Sequence, residues 1–524
     1  MIGGKRWVSI GLFKDFVKNL KLNSKGLVLY DTTLRDGAQT PGVTFSLEDK
    51  INITKKLSDF GFDYIEGGWP SSNPRDMEYF KKVAGMEINA KVASFGMTSK
   101  NPKEDKMLND LLLAEVVTIF GKSWDLHVRD VLKVTLEQNI GMIGETIDYL
   151  KSHGVEVIYD AEHFFDGFKS NQDYCIETLK AAKNADCIVL CDTNGGALPW
   201  EVYEITACVR KKISNMLGIH CHNDCGFAVI NTLASISAGA VHIQGTMNGL
   251  GERCGNMDWC EFLPIITLKM KLWNKNINSL YNLSLYIERM TGFSVAKNKP
   301  FVGENAFTHK AGVHVDAIIK NPLAYEHILP ELLGRERRFI LSEQIGRAGI
   351  VKVASMHGYK LSKDHPVVKE ITNMVKSAKG FTDTDVYLLL SRFLDKKREP
   401  FKLLSYKIEV KSKGMARTSL SIKVGDEVVK EHAQGVGPVH SLDLALRKAL
   451  SRFYNIEDVV LTNYRVRILN EEKATAASVE VYIEFRNNKE VWSTLGISDD
   501  IIKASEEALV KGYMFYLTKY SKQS

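Results

Sequence analysis

The feature that most limits the fold of this chain is a short apolar, β-rich run that recurs eight times. The runs are LVLYD (27–31), YIEGG (64–68), KVASFG (91–96), VVTIFG (116–121), VEVIYDAE (155–162), CIVLCDT (187–193), LGIHCHND (217–224) and VHIQGTMNG (241–249). Helix-like segments separate them. Near-continuous apolar strands alternating with helices read as a parallel sheet buried on both faces. Eight such units in about 250 residues predict an α/β fold of the (β/α)8 TIM-barrel type, expected over 26–300. Six of the runs end polar, in DTTLRD, EGGWP, DAEH, DTNGG, HCHND and NGLGERCGN. In a TIM barrel the C-terminal strand ends form the active-site face. The pattern therefore predicts a chemical site rather than a plain core.

Residues 301–400 read as a mainly helical linker region, with charged stretches such as LPELLGRERR and HPVVKEITNMVKSAKG. From 401 to 524 the pattern changes to an internal repeat. SYKIEVKS, ARTSLSIKV and EVVKEHAQ precede the helix HSLDLALRKALSRF; VLTNYRVRIL, TAASVEVYIEFR and KEVWSTLG precede the helix DIIKASEEALVKGYMFYL. Two βββα units predict a small α+β regulatory domain. Residues 1–25 form a basic extension: Lys5, Arg6, Lys14, Lys18, Lys21 and Lys25 stand against Asp15, so net +5 of the chain's +6 lies there. A nearly neutral body argues against nucleic-acid binding. No run reaches the ~20 apolar residues of a membrane span, and 1–25 lacks the apolar centre of a secretory signal. Eight cysteines without a C-x-x-C pair suit reduced thiols in the cytoplasm.

The chemistry gathers at the strand ends. His220 and His222 are two apart on a strand and share a face, which makes them a candidate divalent-metal pair. Asp36 lies just past strand one, and Asn256 in the glycine-rich loop past strand eight. Strand seven neighbours strand eight, which closes onto strand one, so all four can converge. Mixed nitrogen and oxygen donors suit Mg2+ or Mn2+, with Zn2+ or Co2+ as alternatives. Arg35 is placed to stabilise an oxyanion developing on a ketone; a structural ion pair is the competing reading. Gln39 and Glu66 are candidate substrate contacts, and Gly67 and Gly68 permit close approach beside Glu66. Asp160 and Glu162 share a face of strand five and are acid–base candidates, with Glu162 better placed at the strand end. His163 points away and reads as packing. Thr193 is a candidate to hold a substrate carboxylate, against a turn-forming role. Cys254 sits in a loop without Rossmann or Walker spacing and reads as structural. His309 and His314 lie beyond the barrel. A loop histidine such as His314, reaching a barrel mouth of its own or a partner subunit, would complete the acid–base set.

Taken together, DTTLRDGAQ (31–39), IEGGWPSSNP (65–74), HCHNDCGFAVINTLA (220–234), IQGTMNGLGERCGN (243–256) and AFTHKAGVHVDA (306–317) resemble the metal-dependent acyl-CoA condensing and cleaving barrel enzymes. That group includes 2-isopropylmalate, homocitrate and citramalate synthases and hydroxymethylglutaryl-CoA lyase. GGWP, GKSWDLHV (121–128), EHFFDGFK (162–169) and LCDTNGG (190–196) resemble the citramalate synthase branch. The resemblance runs from about 26 to 524. It implies that Asp36, His220, His222 and Asn256 surround the metal and that Arg35 polarises the ketone. It also implies that Glu162 and Thr193 contact the 2-oxo acid and that His314 joins the base. The implied reaction is condensation of acetyl-CoA with pyruvate, feeding isoleucine biosynthesis. Alternatives are the 2-isopropylmalate or homocitrate reaction on another 2-oxo acid, and, from a different class, a non-catalytic amino-acid sensor. A homodimer and an amino-acid effector, isoleucine or leucine, are implied as well. Gly435, Gly437 and Val439 of GVGPVH would offer backbone N–H groups to the effector at a helix start. Two departures stand out. Phe339 occupies the place where many relatives carry a tyrosine. The lyase's catalytic-cysteine loop has no match, which weighs against cleavage.

Overall fold

The computed structural model describes residues 26–520 apart from 310–313, 315–316, 319, 340–345, 378–380, 397, 411–414 and 470–476. The basic extension 1–25 lies outside the described residues. Eight parallel strands close into a barrel in chain order: β1 (Val28–Asp31), β2 (Tyr64–Gly68), β3 (Lys91–Met97), β4 (Val116–Lys122), β5 (Glu156–Glu162), β6 (Cys187–Asp192), β7 (Met216–Cys221) and β8 (His242–Gly245). The ring closes through the β1–β8 register, from Val28 opposite His242 to Asp31 opposite Gly245. Tyr30, Ala93, Val116, Ile158, Cys187, Val189 and Cys191 pack together as a buried cluster. The barrel is thus a packed core, with its open chemistry confined to one end. Capping boxes start the helices Leu47–Phe60 (Ser46 with Asp49) and Leu136–Ser152 (Thr135 with Gln138). They satisfy the free N–H groups of the first turn and fix where each strand-end loop stops.

The chain packs into two compact units. The first runs through Ala306 and includes Ile328–Glu336; the second comprises Phe307–His327 and everything from Arg337. In the second, helices Arg347–Met356, Pro366–Ser377 and Asp383–Leu394 bury Ile350, Val353, Ile371, Val386 and Leu390. The repeat follows as two antiparallel three-stranded sheets, each followed by a helix: 402–435 with Pro438–Leu450, and 460–498 with Ile501–Tyr520. Leu442 and Leu446 from one helix and Leu509 and Tyr513 from the other share a core with Val481 and Phe485.

One helical expectation fails. LPELLGRERR forms only the 3-10 turn Pro330–Leu333, which Gly334 ends at φ 71. A side chain on Gly334 would meet the Asn278 carbonyl oxygen at 2.0 Å. A glycine held left-handed terminates a helix rather than extending it. The chain then turns into the short strand Arg338–Phe339, paired parallel with Thr308–His309. Phe339 is in that strand, and its side chain lies outside the described residues.

Candidate metal centre

β1 ends at Asp31, whose carboxylate accepts from the Thr33 N–H and hydroxyl, both at 2.9 Å. The Asp36 N–H donates to Thr32 Oγ1 at 3.2 Å. This turn lays Arg35 and Asp36 over the barrel mouth. Asp36 Oδ2 stands 3.8 Å from His220 Nε2 and 3.9 Å from His222 Nε2. One donor atom from each of the three buried residues falls within 4.8 Å of the others. Asn256 completes the set: its Nδ2 donates to Asp36 Oδ1 at 2.7 Å and to the Leu250 carbonyl at 3.0 Å. Its Oδ1 is buried and has no partner among the described residues. Asn256 faces His222 across an isolated antiparallel bridge, secured by Asn223 N–H to Gly255 O and Met257 N–H to Cys221 O at 2.9 Å each. A carboxylate, two imidazoles and a spare buried amide oxygen fit a divalent cation.

The electrostatics agree with that fit. Burial works to raise the Asp36 pKa, but Arg35, His222 and His220 outweigh it and hold the carboxyl well below its usual range. Burial pushes His220 down to about 3 and lowers His222 as well. Both imidazoles are therefore neutral near pH 7, the form that ligates metal. His220 Nδ1 lies 2.9 Å from Gln244 Oε1, and Gln244 Nε2 donates to Asp160 Oδ1 at 3.0 Å. Because the amide oxygen only accepts, Nδ1 carries the proton and Nε2 keeps its lone pair for the cation.

Arg35 is held from three sides. Its Nε donates to Glu66 Oε2 at 2.6 Å, its Nη1 to Asp36 Oδ2 at 2.8 Å, and its guanidinium lies 3.7 Å over the Phe95 ring. Glu66 also accepts from the Tyr30 hydroxyl at 2.7 Å and from the Thr32 hydroxyl. Glu66, a candidate substrate contact, is 0% exposed, and both of its oxygens are engaged by Tyr30, Thr32 and Arg35. Phe95 stacks on Phe120 at 5.4 Å, and Trp69 meets both edge-on at 5.9 and 6.1 Å. Trp69 is aimed by Gly68 at φ 141 and by its own N–H bond to Asp76 Oδ2 at 2.9 Å. Buried Lys50 pairs with Asp76 and donates to the Gly67 carbonyl. The three-ring wall escaped the sequence reading, although Phe95 and Phe120 each precede the glycine that ends their run.

On the β5–β6 side, Glu162 is ion-paired with Lys122. Thr193 Oγ1 accepts the His163 N–H at 2.8 Å. Burial, with Glu66 nearby, pushes Asp160 up to about 8. Arg253 grips Asp224 at 2.8 and 3.0 Å and the Thr193 carbonyl at 2.7 Å, tying the glycine-rich loop to its neighbours. Gln39 ends a 3-10 turn and is exposed. His314 belongs to the second unit, where its exposed ring stacks on Tyr325 at 4.1 Å. Gly435 ends a strand, Gly437 is the N-cap of Pro438–Leu450, and Val439 packs half-buried on the second unit's core.

Three family models match in series: HMGL-like over residues 27–285, homocitrate synthase post-HMGL domain-like over 301–381, and LeuA allosteric (dimerisation) domain over 380–517. The (R)-citramalate synthases of Geobacter sulfurreducens and Aquifex aeolicus are each 43% identical to this chain, over 94% of it and 97% and 98% of their own lengths. That of Sulfolobus acidocaldarius is 44% identical over 94% of this chain and 97% of its own. A 2-isopropylmalate synthase of Methanocaldococcus jannaschii is 32% identical, with 98% of each chain covered. The chain belongs to the (R)-citramalate synthase branch of the isopropylmalate and homocitrate synthase family of acyl-CoA condensing enzymes.

Proposed function

We propose that the chain condenses acetyl-CoA with pyruvate and hydrolyses the thioester, giving (R)-citramalate and free CoA for isoleucine biosynthesis. One observation carries the reading: Arg35 and Asp36, adjacent in sequence, put a fixed guanidinium beside a buried Asp–His–His–Asn cluster. A divalent cation held by Asp36, His220, His222 and Asn256, with Mg2+ or Mn2+ favoured over Zn2+ or Co2+, would act as a Lewis acid on the 2-oxo acid. Arg35 then meets the charge that develops on the ketone oxygen. Its Nη2 has no hydrogen-bond partner among the described residues and is free to donate. Thr193 already accepts a backbone N–H, so its own hydroxyl proton is available to the substrate carboxylate. Glu162 serves as base or acid for the acetyl methyl proton, with His314 assisting. The Trp69–Phe95–Phe120 wall supports a methyl-bearing acid over one with a charged arm.

The match to the LeuA allosteric (dimerisation) domain supports a homodimer under amino-acid control, with isoleucine the first effector to try and leucine the second. Gly435, Gly437 and Val439 are the residues to examine for that ligand. Among the described residues no helix is long and apolar enough to cross a membrane, and we place the enzyme in the cytoplasm. The deciding experiment measures thiol release from acetyl-CoA with pyruvate, 2-oxobutyrate, 2-oxoisovalerate and 2-oxoglutarate, with and without chelator. Chelator-sensitive preference for pyruvate is the expected result. Preference for 2-oxoisovalerate or 2-oxoglutarate would move the chain to isopropylmalate or homocitrate synthesis. No release with any acid would refute condensation.

A further inference from the structure

Two sequence stretches remain without a role in this chemistry, GKSWDLHV (121–128) and the HFFDGFK that follows Glu162, and the fold brings them into contact. Trp124 and His127 follow β4; His163 follows β5 in the left-handed conformation, φ 56. The His127 ring stacks on Trp124 at 5.4 Å and 19°, and its centroid lies 4.0 Å from that of His163. His163 is 7% exposed. The Nδ1 atoms of both histidines are buried without a hydrogen-bond partner among the described residues. Unpartnered buried ring nitrogens are costly, and a packing role does not require two in contact. The inner end of the pair faces the site: His163 Nε2 is 4.0 Å from Glu162 Oε1, a gap that one water or a small rotation spans. Glu162's other oxygen is engaged by Lys122. Asp166 Oδ2 lies 3.7 Å from His163 Nδ1. The outer end, His127, is partly open to solvent.

We propose that His163 and His127 form a proton relay between Glu162 and solvent. The inference rests on the synthase reading, and the stoichiometry of that reaction requires a proton exit. Acetyl-CoA, the pyruvate monoanion and water give the citramalate dianion, CoA thiol and one proton. The carbon–carbon bond forms as the methyl C–H breaks, and the thioester C–S bond breaks as water adds. One proton per turnover must therefore leave the site. His163 takes it at Nε2 from the Glu162 carboxyl and gives one up from Nδ1, the atom that Asp166 Oδ2 approaches to 3.7 Å, to His127, whose ring centroid lies 4.0 Å away and which returns it to water. Both histidines act through Glu162 and touch no substrate atom. Trp124 fixes the outer ring by stacking.

The test uses the full chain with substituents that tolerate the backbone of residue 163. His163→Asn keeps a residue type that adopts positive φ but cannot carry a proton; His163→Gly keeps the backbone and leaves space. Both are expected to lower kcat about 100-fold, the scale of one positioned proton transfer, with KM for pyruvate little changed. Added imidazole restores the His163→Gly variant in proportion to its concentration, and the solvent deuterium isotope effect on kcat rises in both. Independently of turnover, Glu162→Gln shifts the NMR titration of the His163 imidazole. Thiol release by the unsubstituted enzyme reports on the synthase reading; the variant-to-parent ratio and the titration report on the relay. Unchanged kcat, a loss that imidazole does not restore, or an unshifted titration would overturn it.

Discussion

Replacing Arg35 with lysine separates charge from geometry. The arginine commits Nε to Glu66 and Nη1 to Asp36, has its guanidinium 3.7 Å over the Phe95 ring, and has no partner for Nη2 among the described residues. A lysine ammonium on a flexible stem keeps the charge but not the planar fork. It can satisfy Glu66 or Asp36, and then has no fixed donor left for the ketone oxygen. Losing one preorganised donor of this kind costs about 10²–10³ in kcat, or about 3–4 kcal/mol. Glu66 is wholly buried, and removing its partner outright would strand a charge at about 3–5 kcal/mol of stability. Lysine still neutralises that charge, so the expected fall in stability is smaller. Arg35→Lys should therefore fold, bind a full complement of metal and turn over about 100-fold or more slowly. Thiol release gives kcat, and elemental analysis of the desalted protein gives metal content. A kcat within a few-fold of the parent with metal retained would refute the oxyanion role. A kcat loss accompanied by loss of metal would show that Arg35 serves Asp36 alone.

Gln244→Leu removes the group that sets the His220 tautomer and should weaken metal binding about 10–100-fold, read by competition with a chromophoric chelator; unchanged affinity would remove Gln244 from the site. At Gly251, φ 150, an added Cβ would lie 2.1 Å from Asn256 Nδ2 and 3.1 Å from Asp36 Oδ1. Gly251→Ala should therefore reduce both metal content and activity while the far end of the barrel stays intact, which amide hydrogen exchange would show. His242 is buried between Tyr30 and Tyr64, at 5.1 and 5.9 Å, and burial pushes it down to about 3. The unfolded chain takes up a proton there below about pH 6.5 while the folded chain does not. Its contribution is therefore stabilising above that pH and is lost as pH falls toward 3, at about 1.4 kcal/mol per unit. Denaturant midpoints of the parent should fall more steeply from pH 7 to 5.5 than those of His242→Gln, and parallel slopes would disprove the assignment.

The barrel was legible because β1–β8 show two independent regularities, apolar runs at regular intervals and polar residues at the C-terminal end of six of them. The convergence of Asp36, His220, His222 and Asn256 followed from strand alternation and ring closure. Other parts resist reading for physical reasons. Phe95, Phe120 and Trp69 look like core, because an aromatic ring on a strand carries no mark of whether it faces a helix or a substrate. Glu66 and Glu162 have the same side-chain chemistry; what distinguishes them is their partners, Tyr30, Thr32 and Arg35 around buried Glu66 and Lys122 beside Glu162. Gln244 lies one step past the Ile219–Ile243 pair, beside His220, a neighbour relation that needs the β7–β8 register. The 330–334 turn reads as helix by propensity, and is stopped by a close approach between distant parts of the chain that no local pattern records.

The way the chain alternates between its two units has a practical consequence for dissection. Ile328–Glu336 packs with the barrel although residues on both sides of it belong elsewhere. Leu333 is 0% exposed, and Arg335 donates to the carbonyls of Phe301 and Gly303. No single cleavage therefore yields two complete halves. A protease nick between 307 and 327 would leave nine residues of barrel covalently attached to the regulatory half, so the two pieces should co-elute until denaturant is added. A gene fragment ending at 306 would lack that latch, whereas one reaching 336 would carry it. Exchange of regulatory domains between relatives is best joined after 336, where the chain has made its last crossing.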